Sequence, residues 1–289
     1  MATLLTLTSF EKSGLQLKVV RDSIFRRKKV SSMDRQRATA LTNEIIRWMS
    51  VLDSMYTPFL KYQLKRLNPK VKAALRMGVY EGVIDSEVPP YAAIDSAVET
   101  IKVASNKKSA GLVNAVLRKA IKQYPENVFI AKEFSQKAFP NWLSIKWIEQ
   151  FGDKKAIDLR QTFMQQRPII IRIDSGIENV FIELKQMGVI WKPFPEFDNI
   201  VEIQKGGAQL TKIPSFLNGD FSIQDSGSAA VTLLLDPKPN EIILDVCGAP
   251  GTKSFSIAHK MNGLGEVYVS DSTKKCISRY ISYGGKNID

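Results

Sequence analysis

Apolar residues in the first part of the chain recur at helical spacing, returning every three or four positions. Proline interrupts this pattern, and Asn68-Pro69 is a favourable helix start because Asn caps a helix and Pro fits its first turn. The pattern predicts an all-α domain over residues 1–125. The clearest apolar stripes lie at 71–79, 94–101 and 112–120.

The pattern changes after Pro140. Residues 177–188 have the spacing of an amphipathic helix that Gly188 closes. Apolar residues at helical spacing follow at Trp142, Ile145, Trp147 and Ile148, and we expect the two tryptophans to pack into the core. Together these segments predict a small α/β module over residues 140–225. Its strands are expected at 168–173, 189–191, 200–203 and 221–223, where β-branched and aromatic residues cluster.

The last part of the chain has the pattern of a β-α-β unit. A buried-type strand at 241–246 runs into a loop of small residues, a helix follows to about residue 261, and a second strand ends at Asp271. This order predicts the start of a Rossmann-type sheet over residues 226–289. The expected fold class is therefore multidomain, α followed by α/β.

Charge adds a candidate partner. The chain carries 41 basic and 29 acidic residues, a net charge of +12. Residues 1–130 hold 22 basic against 11 acidic residues, a difference of +11, so nearly all of the excess lies in the first half. Such asymmetry indicates a polyanion, with nucleic acid favoured over an anionic membrane surface. Candidate phosphate contacts are Arg26, Arg27, Lys28 and Lys29, with Arg167 and Arg172 as weaker candidates.

Other features narrow the class of protein. The sequence has no run of 18 apolar residues and no signal-peptide pattern at its start. Its two cysteines are too few for a disulfide framework or a zinc site. We therefore expect a cytoplasmic protein, monomeric, with neither a membrane contact nor a bound metal.

The loop at 247–254 is the candidate chemical site. Small residues let the backbone approach a ligand, the next helix offers free N–H groups, and a carboxylate at the tip of the second strand can accept ribose hydroxyls. Two ligands fit this description. A P-loop nucleotide site needs Gly directly before Lys253, where Thr252 stands instead. S-adenosylmethionine (SAM) is favoured because it requires the carboxylate, here Asp271, and no phosphate cradle.

Two groups of motifs resemble known families. Segments 75–80, 88–98 and 112–118 resemble, in order and spacing, the NusB-like RNA-binding helical domain. The stretch 221–228, which includes Gln224-Asp225, and the loop that follows resemble the RsmB-type (Sun) RNA cytosine-5 methyltransferases. The loop motif is Asp245-Val246-Cys247-Gly248-Ala249-Pro250-Gly251-Thr252-Lys253-Ser254. That family joins a NusB-like domain, a small RNA-recognition-like module and a Rossmann-type catalytic domain.

The resemblance implies roles for particular residues. Asp271 would hold the ribose of SAM, and the partner would be ribosomal RNA. The departures from the family motif are Gly248 for Ala, Thr252 for Gly and Ser254 for Thr, of which Thr252 adds a Cβ close to the ligand. The residues implied to line the cofactor are Cys247, Gly248, Ala249, Pro250, Gly251, Thr252 and Lys253.

The family's nucleophile is a cysteine whose thiolate attacks carbon 6 of cytosine, so that carbon 5 becomes able to take the methyl group. It lies in a Thr-Cys segment, with a second cysteine in a Pro-Cys segment, and this sequence contains neither. The nucleophile is thus expected beyond Asp289, with Cys276 structural and His259 a surface residue. Two functions stay open: a SAM-dependent rRNA (cytosine-5-)methyltransferase, inactive as this chain alone, or a non-catalytic RNA-binding protein.

Overall fold

The computed structural model describes residues 1–61, 63–85, 87–124, 137–195, 197–272 and 277–278. The chain divides into two compact units, Met1–Gln166 and Arg167–Asp289. The expected fold class is confirmed, since the first unit is helical and the second holds a small sheet and a β-α-β unit. The three domain ranges given above remain a prediction.

The helices of the first unit begin where the sequence supplies caps. The side chains of Ser31, Asn68 and Asn106 each accept a hydrogen bond from a backbone N–H in the first turn of the helix that follows. A π-helical turn, Tyr80–Ile84, continues α5. The helices are α1 (Ala2–Ser13), α2 (Leu17–Arg27), α3 (Ser32–Arg47), α4 (Met49–Tyr56), α5 (Pro69–Val79), α6 (Pro90–Ala104), α7 (Lys107–Gln123) and α8 (Asn141–Met164).

Helix α5 forms the centre of this unit. Almost every residue from Val71 to Val79 is buried, so α5 contacts other helices on all sides. Gly78 allows the closest approach: a Cβ added there would lie 2.4 Å from Cδ1 of Leu117 on α7 and 3.2 Å from Cβ of Ala97 on α6. A small residue at 78 is therefore a packing requirement of the three-helix core.

The expectation that both tryptophans of α8 pack into the core is wrong for one of them. Trp142 is 63% exposed, whereas Trp147 stacks on Phe163 with ring centroids 5.6 Å apart. Gly152, with φ +77°, interrupts the helix between the two rings of that pair. The face of α8 that is buried carries Ala156, Arg160 and Met164 instead, a spacing of four residues.

The second unit begins with an antiparallel sheet in the order β2-β3-β1-β4. Helix α9 follows β1, and Gly188, with φ +66°, ends the turn after that helix as expected. The sheet's core holds Ile171, Val180, Leu184 and Phe221. The elements are β1 (Ile169–Ile173), α9 (Ile177–Gln186), β2 (Ile190–Phe194), β3 (Phe197–Lys205), α10 (Pro214–Asn218) and β4 (Phe221–Ile223).

A parallel β-α-β unit completes the described part of the second unit. It consists of β5 (Ile242–Asp245), α12 (Thr252–Lys260) and β6 (Glu266–Val269), and helix α11 (Ser226–Leu235) precedes it. Strands β5 and β6 pair in register, Ile242 with Glu266 through Asp245 with Val269. In the described ranges no third strand pairs with them.

One face of the parallel pair is open. The sequence suggests that Ile243, Val267 and Val269 lie uncovered, because two strands alone leave apolar surface bare. In the structure these three are half-buried, and the exposed positions are the alternate ones, such as Ile242 at 73% and Leu244 at 64%. The reason is the side on which α12 packs, since side chains alternate between the faces of a strand.

The packing at Gly78 gives a stability prediction. Gly78→Ala should destabilise the helical unit by about 1–3 kcal/mol, because the added methyl overlaps the fully buried Leu117. Gly111→Ala is the matched control, since Gly111 is exposed on α7 and an added Cβ meets nothing within 4 Å. The control should stabilise by about 0.5–1 kcal/mol, the helix-interior advantage of Ala over Gly. Denaturant unfolding followed by far-UV circular dichroism measures both, and equal effects at the two sites would contradict the packing argument.

Candidate functional site

The 247–253 loop begins at the carboxyl end of β5 and ends in the first turn of α12. Asp245, the last residue of β5, fixes both ends of this segment. Its Oδ1 accepts a hydrogen bond from the backbone N–H of Cys247 at 3.2 Å, and its Oδ2 accepts one from the Ser254 hydroxyl at 2.8 Å. Ser254 is buried, so the carboxylate is tied to the interior side of the helix.

Gly248 departs from the family motif for a reason that the packing shows. A Cβ at this position would lie 2.5 Å from Cγ1 of Val269 and 3.0 Å from the carboxylate of Asp245. Both neighbours belong to the parallel strands and have little freedom to move. The Ala of the family motif would therefore force Val269 or Asp245 to shift, whereas Gly does not.

The two residues before α12 have special backbone conformations. The Ala249-Pro250 peptide bond is cis, and Gly251 has φ +111°, a conformation that side chains other than glycine rarely adopt. Thr252 follows as the first helical residue and is half-buried. The change from Gly to Thr thus falls where the backbone is helical, so the added Cβ causes no backbone strain.

Asp271 lies beside the loop, as expected. Its Oδ2 accepts a hydrogen bond from the backbone N–H of Ala249 at 3.1 Å, and its Oδ1 accepts one from the N–H of Ser272 at 2.7 Å. The N–H of Gly248 donates to the carbonyl of Ser270 at 3.1 Å. The structure therefore brings Asp271 to the middle of the 247–253 loop, at the adjoining tips of the two parallel strands.

The site also includes Arg172, Asp174 and Gln224, none of which was assigned to it from the sequence. Arg172 on β1, a candidate phosphate contact above, is only 3% exposed, and that expectation is wrong. Its Nε and Nη2 donate to the two carboxylate oxygens of Asp174 at 2.7 and 2.6 Å. Its Nη1 donates to Oε1 of Gln224 and to the carbonyl of Thr252, the latter at 3.2 Å.

The burial of Arg172 could have been inferred from the residues around it in the sequence. Arg172 is the one charged residue in the run Ile169–Ile173, and strands of that composition are usually buried. A cation in such a strand indicates an internal partner more strongly than a surface contact. Arg167, the other weaker candidate, is exposed and lies 4.0 Å from a carboxylate oxygen of Asp225.

The basic cluster lies at the C-terminal end of α2. Arg26 and Arg27 form the last turn of the helix, Lys28 caps it, and Lys29 has φ +47°. All four side chains are exposed. Cations at this end of a helix interact favourably with its dipole, so the cluster is compatible with α2 while leaving its charges open to a ligand.

Lys28 and Lys29 also line a cleft of about 920 Å³ in the first unit. Glu81 lines it too and is buried, with its carboxylate 3.5 Å from the guanidinium of Arg37. Burial raises the pKa of the Glu81 carboxyl above its ordinary value, and Arg37 opposes that rise. Lys70 lines the cleft as well, so the cleft combines one buried carboxyl with several cations.

Arg76 shows that part of the positive charge is internal. It is buried, and its Nε and Nη2 each donate at 2.7 Å to the carboxylate of Asp53. Its Nη1 donates to Glu11 at 3.3 Å. Arg76 is therefore not available to a ligand, and the positive charge that a ligand meets is smaller than the residue count suggests.

Further expectations from the sequence concern His259, Cys276, metal binding and membrane contact. His259 is exposed, as expected, whereas Cys276 lies outside the described residues. Among the residues that the structure describes, no group of three or more His, Cys, Asp and Glu side chains is arranged to hold a metal ion. No helix in the described ranges is both long and apolar enough to cross a bilayer.

The close packing at Gly248 predicts a loss of stability that a second substitution should partly restore. Gly248→Ala should lower the thermal midpoint of the second unit, because overpacking of this kind costs about 1–3 kcal/mol. Adding Val269→Ala removes the nearer clash and should recover part of the loss. Cys247→Ala is the control, since Cys247 is exposed. Differential scanning calorimetry of Gly248→Ala, Val269→Ala, the double variant and Cys247→Ala tests this, and an undiminished loss from Gly248→Ala in the Val269→Ala background would contradict the proposed clash.

The chain is similar in sequence to one protein family and to several curated proteins. Residues 3–122 match the NusB family. The "Probable ribosomal RNA small subunit methyltransferase B" of Bacillus subtilis (strain 168) is 29% identical over 277 residues, covering 93% of this chain and 61% of that protein. The protein of the same description from Synechocystis sp. (strain ATCC 27184 / PCC 6803 / Kazusa) is 25% identical over 259 residues, covering 86% and 58%.

A solved structure supports the same fold. The crystal structure of PH0851 superimposes with a TM-score of 0.69 at 21% identity, covering 98% of this chain and 65% of that one. The chain spans about 60% of the length of the two curated relatives above. Residues 3–122 therefore resemble the NusB family, and the resemblance of the chain to the RsmB-type ribosomal RNA methyltransferases is confirmed by the curated relatives.

Proposed function

We propose that this chain is part of a SAM-dependent ribosomal RNA (cytosine-5-)methyltransferase, with the 247–253 loop and Asp271 as the SAM site. The observation that carries the proposal is the position of the Asp271 carboxylate, bonded to the N–H of Ala249 at the tips of two parallel strands. Ligands of open α/β sheets bind at the carboxyl ends of such strands. SAM, when bound, would supply the methyl group from its sulfonium, and the departing sulfur would become a neutral thioether.

The backbone of the loop favours SAM over a nucleoside triphosphate. A phosphate cradle needs several consecutive free N–H groups. Here the N–H groups of Cys247, Gly248 and Ala249 donate to Asp245, Ser270 and Asp271, and Pro250 has none. Residues 247–250 therefore have no free N–H group for a triphosphate, which leaves only the last residues of the loop and the first turn of α12 as donors, whereas a ribose held by a carboxylate needs none of these groups.

Each part of the site has a definable task in this proposal. Asp271 orients the ribose by accepting its hydroxyl protons in hydrogen bonds, and Gly248 keeps the loop close to the strands. Asp245 holds the entrance of the loop and the first turn of α12 together through Cys247 and Ser254. Cys247 belongs to this loop, so we assign it no nucleophilic role.

The first unit is proposed to bind the RNA. The exposed cluster at the end of α2 faces solvent, and its charges add to the positive cleft that Lys28 and Lys29 line. Phosphate contacts of this kind supply affinity without sequence preference. Three relatives in the curated comparison are described as ribosomal RNA methyltransferases, which supports ribosomal RNA as the substrate. A non-catalytic RNA-binding protein is the second candidate, and the assembled loop with Asp271 favours the enzyme.

The SAM site predicts a specific loss of affinity. Asp271→Asn should weaken SAM binding by about 1–3 kcal/mol, because it removes the charge on a hydrogen-bond acceptor. Asp198→Asn, an exposed carboxylate on β3, is the matched control and should bind SAM as the unaltered chain does. Isothermal titration calorimetry with SAM, and separately with ATP, decides the outcome. Equal SAM affinity for Asp271→Asn, or tighter binding of ATP, would overturn the SAM assignment.

The RNA interface predicts a change in salt dependence. Each phosphate that is neutralised contributes about 0.7–0.9 to the slope of log K against log salt. Replacing the four residues at 26–29 with Ala should therefore lower the slope by up to about 3 in a filter-binding titration with ribosomal RNA. A control removes the same charge from exposed lysines of α7: Lys107, Lys108, Lys119 and Lys122. If both variants lower the slope equally, the cluster is not a specific part of the interface.

A further inference from the structure

We infer that Arg172 is a positioning residue that holds the exit of the 247–253 loop in place for SAM, an inference that rests on the proposed function. Arg172 lies on the central strand pair of the antiparallel sheet, 80 residues before the carbonyl that it contacts on Thr252. Thr252 lies near the end of the 247–253 loop and is the first residue of α12. The guanidinium thus joins the sheet to the point where the loop becomes a helix.

The guanidinium is fixed before it reaches the loop. Asp174 accepts two parallel hydrogen bonds from Nε and Nη2, and the two side chains are 4% and 11% exposed. Bidentate pairs of this kind set the plane and direction of the arginine. The remaining nitrogen, Nη1, is consequently aimed at Gln224 and Thr252 and has little freedom to leave them.

Gln224 shows that this arrangement is maintained at a cost. Its side chain is 5% exposed, and its Oε1 accepts from Arg172. Its Nε2 is buried with no hydrogen-bond partner in the described part of the chain. An unpaired buried donor is destabilising, so the amide is oriented by the needs of Arg172 rather than by its own.

The loop is held at three places, and Arg172 supplies the only one of these contacts that comes from the antiparallel sheet. Asp245 fixes its entrance and, through Ser254, the helical turn that follows it, Asp271 fixes Ala249 in its middle, and Arg172 holds the carbonyl of Thr252 at its exit. The first two belong to the parallel strands that the loop itself connects. The third links the loop to a separate layer, so the loop's position depends on how that layer sits within the second unit.

Lysine cannot replace arginine in this role. A lysine ammonium has no planar fork, so it does not pair with both oxygens of Asp174 and also direct a donor to Gln224 and Thr252. Arg172→Lys keeps the charge and a buried aliphatic stem but removes the fixed direction. It therefore isolates the positioning function from the presence of a cation.

The experiment measures two quantities separately: the amide hydrogen exchange of the loop and the affinity of the chain for SAM. Amide hydrogen exchange of the full chain without ligand, followed by mass spectrometry, should show about tenfold faster exchange at 247–256 in Arg172→Lys, the factor expected from one hydrogen bond with a charged donor. SAM affinity by calorimetry should fall by a similar factor. Ile171→Val is the control, because it loosens the core beside Arg172 on the same strand without touching the loop. It should leave both quantities within about twofold.

The outcomes separate this inference from the proposed function. Exchange at the unaltered rate in Arg172→Lys, or an equal rise in Ile171→Val, overturns the positioning role whatever happens to SAM. Failure of the unaltered chain to bind SAM overturns the proposed function, while the exchange comparison still decides the role of Arg172. If Arg172→Lys does not fold, Gln224→Ala keeps the Asp174 pair and should speed loop exchange about threefold. An unchanged rate in that variant overturns the inference.

Discussion

Two buried guanidinium groups, one in each unit of the chain, are paired with carboxylates, and these two pairs constrain how each unit packs. Arg76 in the helical unit pairs with Asp53, and Arg172 in the second unit pairs with Asp174, each through two short hydrogen bonds. Removing one member of such a pair leaves an uncompensated charge and costs about 3–5 kcal/mol. Each pair therefore restricts how the surrounding elements can pack.

In the helical unit this restriction locates α5. Asp53 on α4 accepts from Arg76 and also from the hydroxyl of Tyr56, and Glu11 on α1 accepts from the remaining side of Arg76. Burial and the Asp53 carboxylate raise the pKa of Tyr56, so its hydroxyl remains a donor. Helices α1 and α4 are thereby held against one side of α5, while Gly78 permits α6 and α7 to approach its other side.

In the second unit the same kind of pair connects structure to the proposed chemistry. The loop that would hold SAM uses its own N–H groups to bond with the strands that carry it. Its shape is therefore largely set before a ligand arrives, which lowers the entropy that binding has to remove. Arg172 extends this preorganisation to the antiparallel sheet, so that a residue outside the loop contributes to its geometry.

The sequence by itself determined the order of elements, the β-α-β unit, and the nearness of the 247–253 loop to Asp271, the carboxylate proposed for the ribose. These follow from local causes: apolar periodicity, caps such as Asn68, and small residues at a strand–helix turn. Only the tertiary structure decided which cations are internal, why position 248 holds Gly, and which face of β5 is covered. Those outcomes depend on contacts between residues far apart in the chain, such as Arg172 with Thr252 and Gly248 with Val269, for which local pattern carries no information.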